Sequence, residues 1–237
     1  MTESPFVGAL LFGLAASSAL VIGGVAGAFW DPPRRLVAVA LAFASGALIT
    51  ALSFDLFEES FRRGGVALSG IGLLAGAGVF VAVDEILDRY VEGAGGGVSG
   101  FAILAAVTLD GIPENMALGV TILQGAGTTL LVAVFASNLP EALSGAVGMR
   151  AQEWSRRFVV VVWSATALLL AASVVVGSAA LSGVGDRPLS VLLAFAGGAV
   201  LASLADTLMP EAYREGGGLV AFATVAGFFL SFMVENL

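Results

Sequence analysis

The stretch "TLDGIPENMALGV" (residues 108–120) sets an aspartate, a proline and a glutamate into a run otherwise apolar enough to cross a lipid bilayer. A second stretch, "ASNLPEALSGAVG" (136–148), repeats the pattern, with "IPEN" matching "LPEA" 27 positions later, 113 to 140. Asp110 and Glu114 lie four residues apart and so share one helix face; Ser137 and Glu141 stand in the same relation, with Asn138 one step round. An acid at the bilayer centre costs about 2.5–3.5 kcal/mol, so three of them need compensation, which a bound cation supplies. Pro113 and Pro140 lack an N–H, which removes the helical partners of the Leu109 and Ala136 carbonyls. Carboxylates, an amide, a hydroxyl and bare carbonyls on two facing helices form an all-oxygen site.

The rest of the chain agrees with a membrane setting. Its 237 residues are 58% hydrophobic and 12% charged, with a mean hydropathy of +1.00. Apolar runs of about 20 residues, the length that crosses a hydrocarbon core, recur without period-2 alternation, so the expected fold class is all-α and not a β-barrel. Eight spans are read, near 6–29, 36–57, 66–84, 101–123, 128–148, 158–182, 188–208 and 217–235, forming a single transporter-like domain over 1–237. The connectors are short, and the glycine-rich one at 93–100 reads as the most flexible. The start "MTESPF" lacks a basic n-region, so the first run is expected to stay as a span.

The absence of cysteine excludes disulfides and thiolate metal sites, and the absence of histidine removes the commonest zinc ligand. It also excludes serine–histidine and HExxH protease chemistry. "GVGD" (183–186) imitates an aspartyl-protease motif but reads as a turn, so no enzyme and no cofactor are expected. All ten basic residues are arginine against 18 acids, a net charge of −8. This balance offers nothing to nucleic acid. It fits a halophilic archaeon, and a GC-rich genome gives the same bias. Arginines sort unevenly between the two faces. Arg34, Arg35, Arg89, Arg150, Arg156, Arg157 and Arg214 share one face, and Arg62, Arg63 and Arg187 the other, which places both termini outside a cell membrane.

"LAFASGALITAL" (41–52) aligns without gaps on "LAFAGGAVLASL" (193–204), 152 positions later, with seven identities in twelve. These are the second and seventh spans, which would cross in opposite directions, the pattern of inverted repeats around a midplane site. Asp55 and Glu59 on one face, and Asp84, Asp206 and Glu211 on the other, could line the route to and from that site; the alternative is end caps paired with arginines such as Arg62, Arg63, Arg89 and Arg214. Gly23/Gly27 and Gly72/Gly76 have the small-xxx-small spacing of close helix packing, and the same spacing would serve a homodimer face.

With these residues in view, the chain resembles the ZIP family of divalent metal transporters. The "xPE" motifs of spans four and five carry the likeness, "DTLMPEA" (206–212) is similar to that family's seventh-span ending, and "SFDLFEES" (53–60) is a degraded relative of its second-span ending. The resemblance implies a 3+2+3 arrangement of eight spans with both termini outside, and import of a divalent cation. It places Asp110, Glu114, Ser137, Asn138 and Glu141 at the metal. Asp110 stands where typical members have a histidine, and Gly111 where they offer a second ligand. The sixth span has no acid, only Ser164 and Thr166, and the histidine-rich loop is missing, so one intact metal position is expected. Oxygen donors favour harder ions such as Mn²⁺, Fe²⁺, Mg²⁺ or Ca²⁺, whereas the family adds Zn²⁺. The alternatives are a metal-binding membrane sensor that transports nothing, or a proton- or sodium-coupled carrier of another fold.

Overall fold

A computed structural model describes residues 5–93, 99–123 and 127–236. Among the described residues every regular element is helical. The chain runs α1 (Pro5–Phe29), α2 (Arg34–Ala51), a π-helical segment (Leu52–Glu58), α3 (Glu59–Gly93), α4 (Ser99–Leu123), α5 (Thr128–Ala151) and α6 (Arg156–Leu181). It closes with α7 (Asp186–Ser203), a second π-helical segment (Leu204–Leu208), α8 (Met209–Gly216) and α9 (Leu219–Glu235). Among the described residues, five stretches are long and apolar enough to cross a membrane by length and composition: Phe6–Phe29, Arg34–Leu87, Thr128–Ala151, Arg156–Leu181 and Asp186–Gly216. The glycine-rich connector lies largely outside the described residues, which resume at Ser99.

The long helical run after α2 is not one rod. Gly65, at φ 68° and ψ −177°, breaks it, a conformation that costs glycine nothing and would strain any side chain. Ser60 Oγ donates to Ser69 Oγ at 2.9 Å. Nine residues of unbroken helix would separate them by about 13.5 Å, so the chain turns back on itself at Gly65. The second helix therefore reaches past residue 57, through the π-helical segment to Gly64. "MPEAYREGG", read as a connector, is instead mostly helical as α8, because Pro210 falls in the first turn, where a missing N–H costs little. Gly217, at φ 58°, ends it.

The sequence repeat is matched in the backbone. Arg34–Ala51 and Asp186–Ser203 are both 18 residues long, and each passes directly into a π-helical segment, at Leu52 and at Leu204. The start and end of each helix and the start of each π-helical segment keep the 152-residue offset. The helix pairing is likewise unchanged when α1 exchanges with α6, α2 with α7, α3 with α9 and α4 with α5. Thus α1 packs on α5 as α6 does on α4, α3 on α7 as α9 on α2, and α2 on α5 as α7 on α4.

Close approach of backbones holds these pairs. In lipid there is no hydrophobic gain from bringing helices together, so small residues that let backbones touch carry the association. Gly46 of α2 lies against the Thr224 carbonyl of α9, and Gly227 of α9 against the Phe43 carbonyl of α2. Their counterparts repeat the contact: Gly198 lies against the Leu73 carbonyl and Gly76 against that of Phe195. Thr50 Oγ1 and Ser231 Oγ add hydrogen bonds across α2 and α9, to the Phe228 carbonyl at 3.1 Å and the Ala47 carbonyl at 3.2 Å. Gly23 and Gly27 seat α1 on the Leu139 and Leu143 carbonyls of α5, and Gly72 and Gly76 seat α3 on α7. Both glycine pairs thus serve packing within the chain.

Two layers result. One joins α1, α4, α5 and α6 around the fully buried Trp163, with Leu20, Val107, Met149 and Leu170 beside it. The other joins α2, α3, α7 and α9. They meet along α2–α5 and α4–α7, over a core that includes Leu41, Leu48, Leu118, Leu130, Leu193 and Val200.

Candidate functional site

Both proline motifs sit inside unbroken helices: Pro113 within α4 and Pro140 within α5. The helices bring Glu114, Ser137, Asn138 and Glu141 to the wall of one small cavity of about 10 Å³, close to the lower bound for a single water. Six of the described wall residues form three repeat-related pairs. Glu114 and Glu141 are equivalent at the 27-residue offset, as are Gly111 and Asn138, while Leu48 of α2 and Val200 of α7 are equivalent at 152. The cavity therefore lies where the two halves of the molecule meet. Gly111 offers no donor and packs against the Leu170 side chain, whereas its counterpart Asn138 presents an amide.

Glu114 is 4% exposed and Asn138 is 2% exposed. Among the described residues, the buried Asn138 Nδ2 atom has no hydrogen-bond partner, a state that ordinarily costs about 1–3 kcal/mol. Ser137 Oγ donates to the Val134 carbonyl at 3.0 Å, which leaves its lone pairs as acceptors. Asp110 lies on α4, but its side chain is outside the described residues. Among the described residues, no three His, Cys, Asp or Glu side chains converge as a metal cluster. An ion in this cavity would be held by two carboxylates supplemented by neutral oxygens. No α6 residue is among the described cavity walls, and Thr166 Oγ1 bonds its own helix at the Val162 carbonyl, 3.1 Å away.

Two polar residues escaped the sequence reading. Ser203, the last residue of α7, is 1% exposed and lines the cavity; its repeat counterpart is Ala51, so the repeat itself gave no polar signal. Asn115 is fully buried beside Glu114; its Nδ2 donates to the Gly111 carbonyl at 2.8 Å and its Oδ1 has no partner among the described residues. Its place in "PEN" beside an acid was the available signal.

The five residues expected along a route divide. Glu211 lines a larger vestibule of about 400 Å³, with Asp31, Arg34, Leu41, Ser144, Val147 and Glu215 among its walls. It accepts a hydrogen bond from Ser144 Oγ at 2.9 Å. Ser144 follows Glu141 by one helical turn, which links vestibule and cavity. Glu59 pairs with Arg62 and Arg63, and Arg63 also reaches Asp186 at 2.7 Å, as the end-cap reading had it. Asp84 is half-buried on α3, and Asp206 is exposed, away from the cavity walls.

Asp55 does something else. It is 7% exposed, and its Oδ2 accepts the Leu130 N–H at 2.8 Å. Leu130 lies in the first turn of α5, whose N-cap is Gly127 and has no side-chain cap of its own. A carboxylate from the π-helical segment after α2 thus caps a helix in the other layer. Asp55→Ala is expected to lower the unfolding midpoint in detergent by an amount equivalent to about 1–2 kcal/mol. An unchanged midpoint would show that the cap contributes nothing.

No protein-family model matches the chain, and no curated protein is significantly similar to it.

Proposed function

We propose that the chain is a divalent-cation permease of the ZIP type, carrying an ion such as Zn²⁺, Mn²⁺ or Fe²⁺ through the cavity between α4 and α5. One observation carries the reading: two repeat-equivalent glutamates, with the Ser137 hydroxyl and the Asn138 amide beside them, line the same water-sized space. Two carboxylates at membrane depth bear a charge of −2, which one divalent cation balances. The donors are all oxygen, which suits hard and borderline ions.

The eight-span, 3+2+3 arrangement with inverted halves belongs to this proposal. It rests on the turn at Gly65, the exchange-invariant helix pairing and the ends at which the repeats face open space. The N-terminal end of α2 lines the vestibule, next to Ala151 at the end of α5. The equivalent end of α7 follows Leu181, at the far end of α6, whose 26 residues span about 39 Å. The vestibule lies on the arginine-rich face, cytoplasmic by the positive-inside rule, which leaves both termini outside. An ion held at Glu141 would then be released past Ser144 and Glu211.

The test is uptake into proteoliposomes loaded with a divalent-sensing dye, with Zn²⁺, Mn²⁺, Fe²⁺, Co²⁺, Mg²⁺ and Ca²⁺ offered in turn. Saturable flux of at least one of these ions is expected. Metal bound without flux would replace the permease by a membrane metal sensor. Neither flux nor binding would remove the metal reading altogether.

A further inference from the structure

The first turn of α6 carries Arg156 and Arg157 and no acid, the reverse of what the helix dipole favours at that end. Both arginines are exposed, and among the described residues neither pairs with a carboxylate, whereas Arg34, Arg62, Arg63 and Arg89 each do. The Arg156 guanidinium lies over the Phe29 ring at the end of α1, 5.2 Å from its centroid. That attraction is to the ring face, so its N–H donors stay available. Phe29 and Trp30 are themselves 63% and 51% exposed. On the other side of the arginines, Phe158 stacks on Trp154 with ring centroids 4.7 Å apart. The acids nearest in sequence do not neutralise this corner. Asp31 lines the vestibule instead, and Glu153 is exposed and pairs with no arginine among the described residues.

The loop before α6 fixes the arrangement at a cost. Glu153, at φ 65°, is the one non-glycine residue with positive φ among the described residues, a conformation that a side chain disfavours. It sets Trp154 so that its carbonyl accepts a hydrogen bond from Arg150 Nη1 at 2.7 Å and its Nε1 donates to Gln152 Oε1 at 3.3 Å. Ser155 Oγ then accepts the Phe158 N–H at 3.2 Å. We infer that this corner of α1 and α6 docks the headgroup of an anionic phospholipid, whose phosphate takes the Arg156 and Arg157 guanidinium groups. Guanidinium N–H pairs match phosphate oxygens, and tryptophan beside arginine belongs at the level of lipid headgroups. One turn deeper, Val25 of α1 and Val161 of α6 are exposed and offer apolar surface to the acyl chains. A soluble anion would leave that surface uncovered, which favours the lipid.

The chain's own fluorescence reads the site. Of its three tryptophans, Trp30 and Trp154 stand at this corner, and the fully buried Trp163 supplies the unquenched background. The full chain is reconstituted in equimolar dioleoylphosphatidylcholine and dioleoylphosphatidylglycerol, with one or the other lipid brominated on its chains to quench tryptophan on contact. Quenching is expected to show phosphatidylglycerol enriched by about fivefold or more, the factor that one arginine contributes at an anionic surface. Arg156→Gln with Arg157→Gln should bring the enrichment close to unity. Arg157→Gln alone, which leaves the Phe29 contact in place, should fall between. Arg35→Gln with Arg89→Gln removes the same charge from the same face and should keep the preference. Equal quenching by the two lipids would overturn the inference, and so would an equal loss in both double variants, which would mark a general attraction of the whole face. Abolition of the preference by glycerophosphate in the buffer would overturn it too, in favour of a soluble phosphate site. No arm contains a transported metal, so the result is independent of the permease reading.

Discussion

Proteoliposomes bearing Glu114→Gln or Glu141→Gln are expected to lose at least about 90% of their divalent-ion uptake, and the double variant all of it. The substitution keeps the shape of the side chain and removes one negative charge from a cavity of about 10 Å³, barely enough for one water. On the permease reading, a divalent ion would then face a single described carboxylate in place of two. The loss of a charged ligand in a low-dielectric site should cost two or more decades of affinity, each worth about 1.4 kcal/mol. Because the two glutamates are related by the repeat, neither is expected to substitute for the other. Isothermal titration of the purified protein should show the same loss in binding. Full uptake by both single variants would remove the cavity from the mechanism.

The second large effect is on folding. Gly76→Leu is expected to abolish recovery of monodisperse protein, at a cost of about 3 kcal/mol or more. A side chain there would collide with the Phe195 carbonyl and the Ala199 backbone, neither of which can rotate away. Gly78→Leu, two residues further along α3, is the control: it meets nothing within 4 Å, and leucine there should be neutral or gain helix propensity of up to about 1 kcal/mol. Gly227→Leu, at the glycine that makes the equivalent close contact between α9 and α2, should fail in the same way against the Phe43 carbonyl. Size-exclusion profiles of the three variants check the pattern. If Gly76→Leu and Gly78→Leu behaved alike, close contact between α3 and α7 would not hold the fold.

The route residues show where sequence reasoning reaches its limit. Glu59 and Asp55 stand four residues apart and read alike as acids near the end of one helix. One is paired with arginines on its own helix, while the other is buried and caps α5. Local spacing predicts i,i+3 and i,i+4 ion pairs because both partners ride on one helix. A cap 75 residues away depends on how two layers dock. Asp206 and Glu211 divide for the same reason: the π-helical segment and α8 turn Glu211 toward Ser144 and leave Asp206 exposed.

Sequence alone determined that the chain is helical and apolar enough for a membrane, because burying backbone in lipid leaves few choices and composition reveals them. It also determined the repeat and the polar positions of α4 and α5, because helical periodicity and a constant offset survive in one dimension. Only the tertiary structure decided that Glu114, Asn138 and Glu141 share a single cavity, that Ser203 joins them, and that Glu211 and Ser144 line a wider vestibule. Those outcomes depend on which backbones can touch, a matter of glycines meeting carbonyls on helices distant in sequence, and no local pattern encodes that distance.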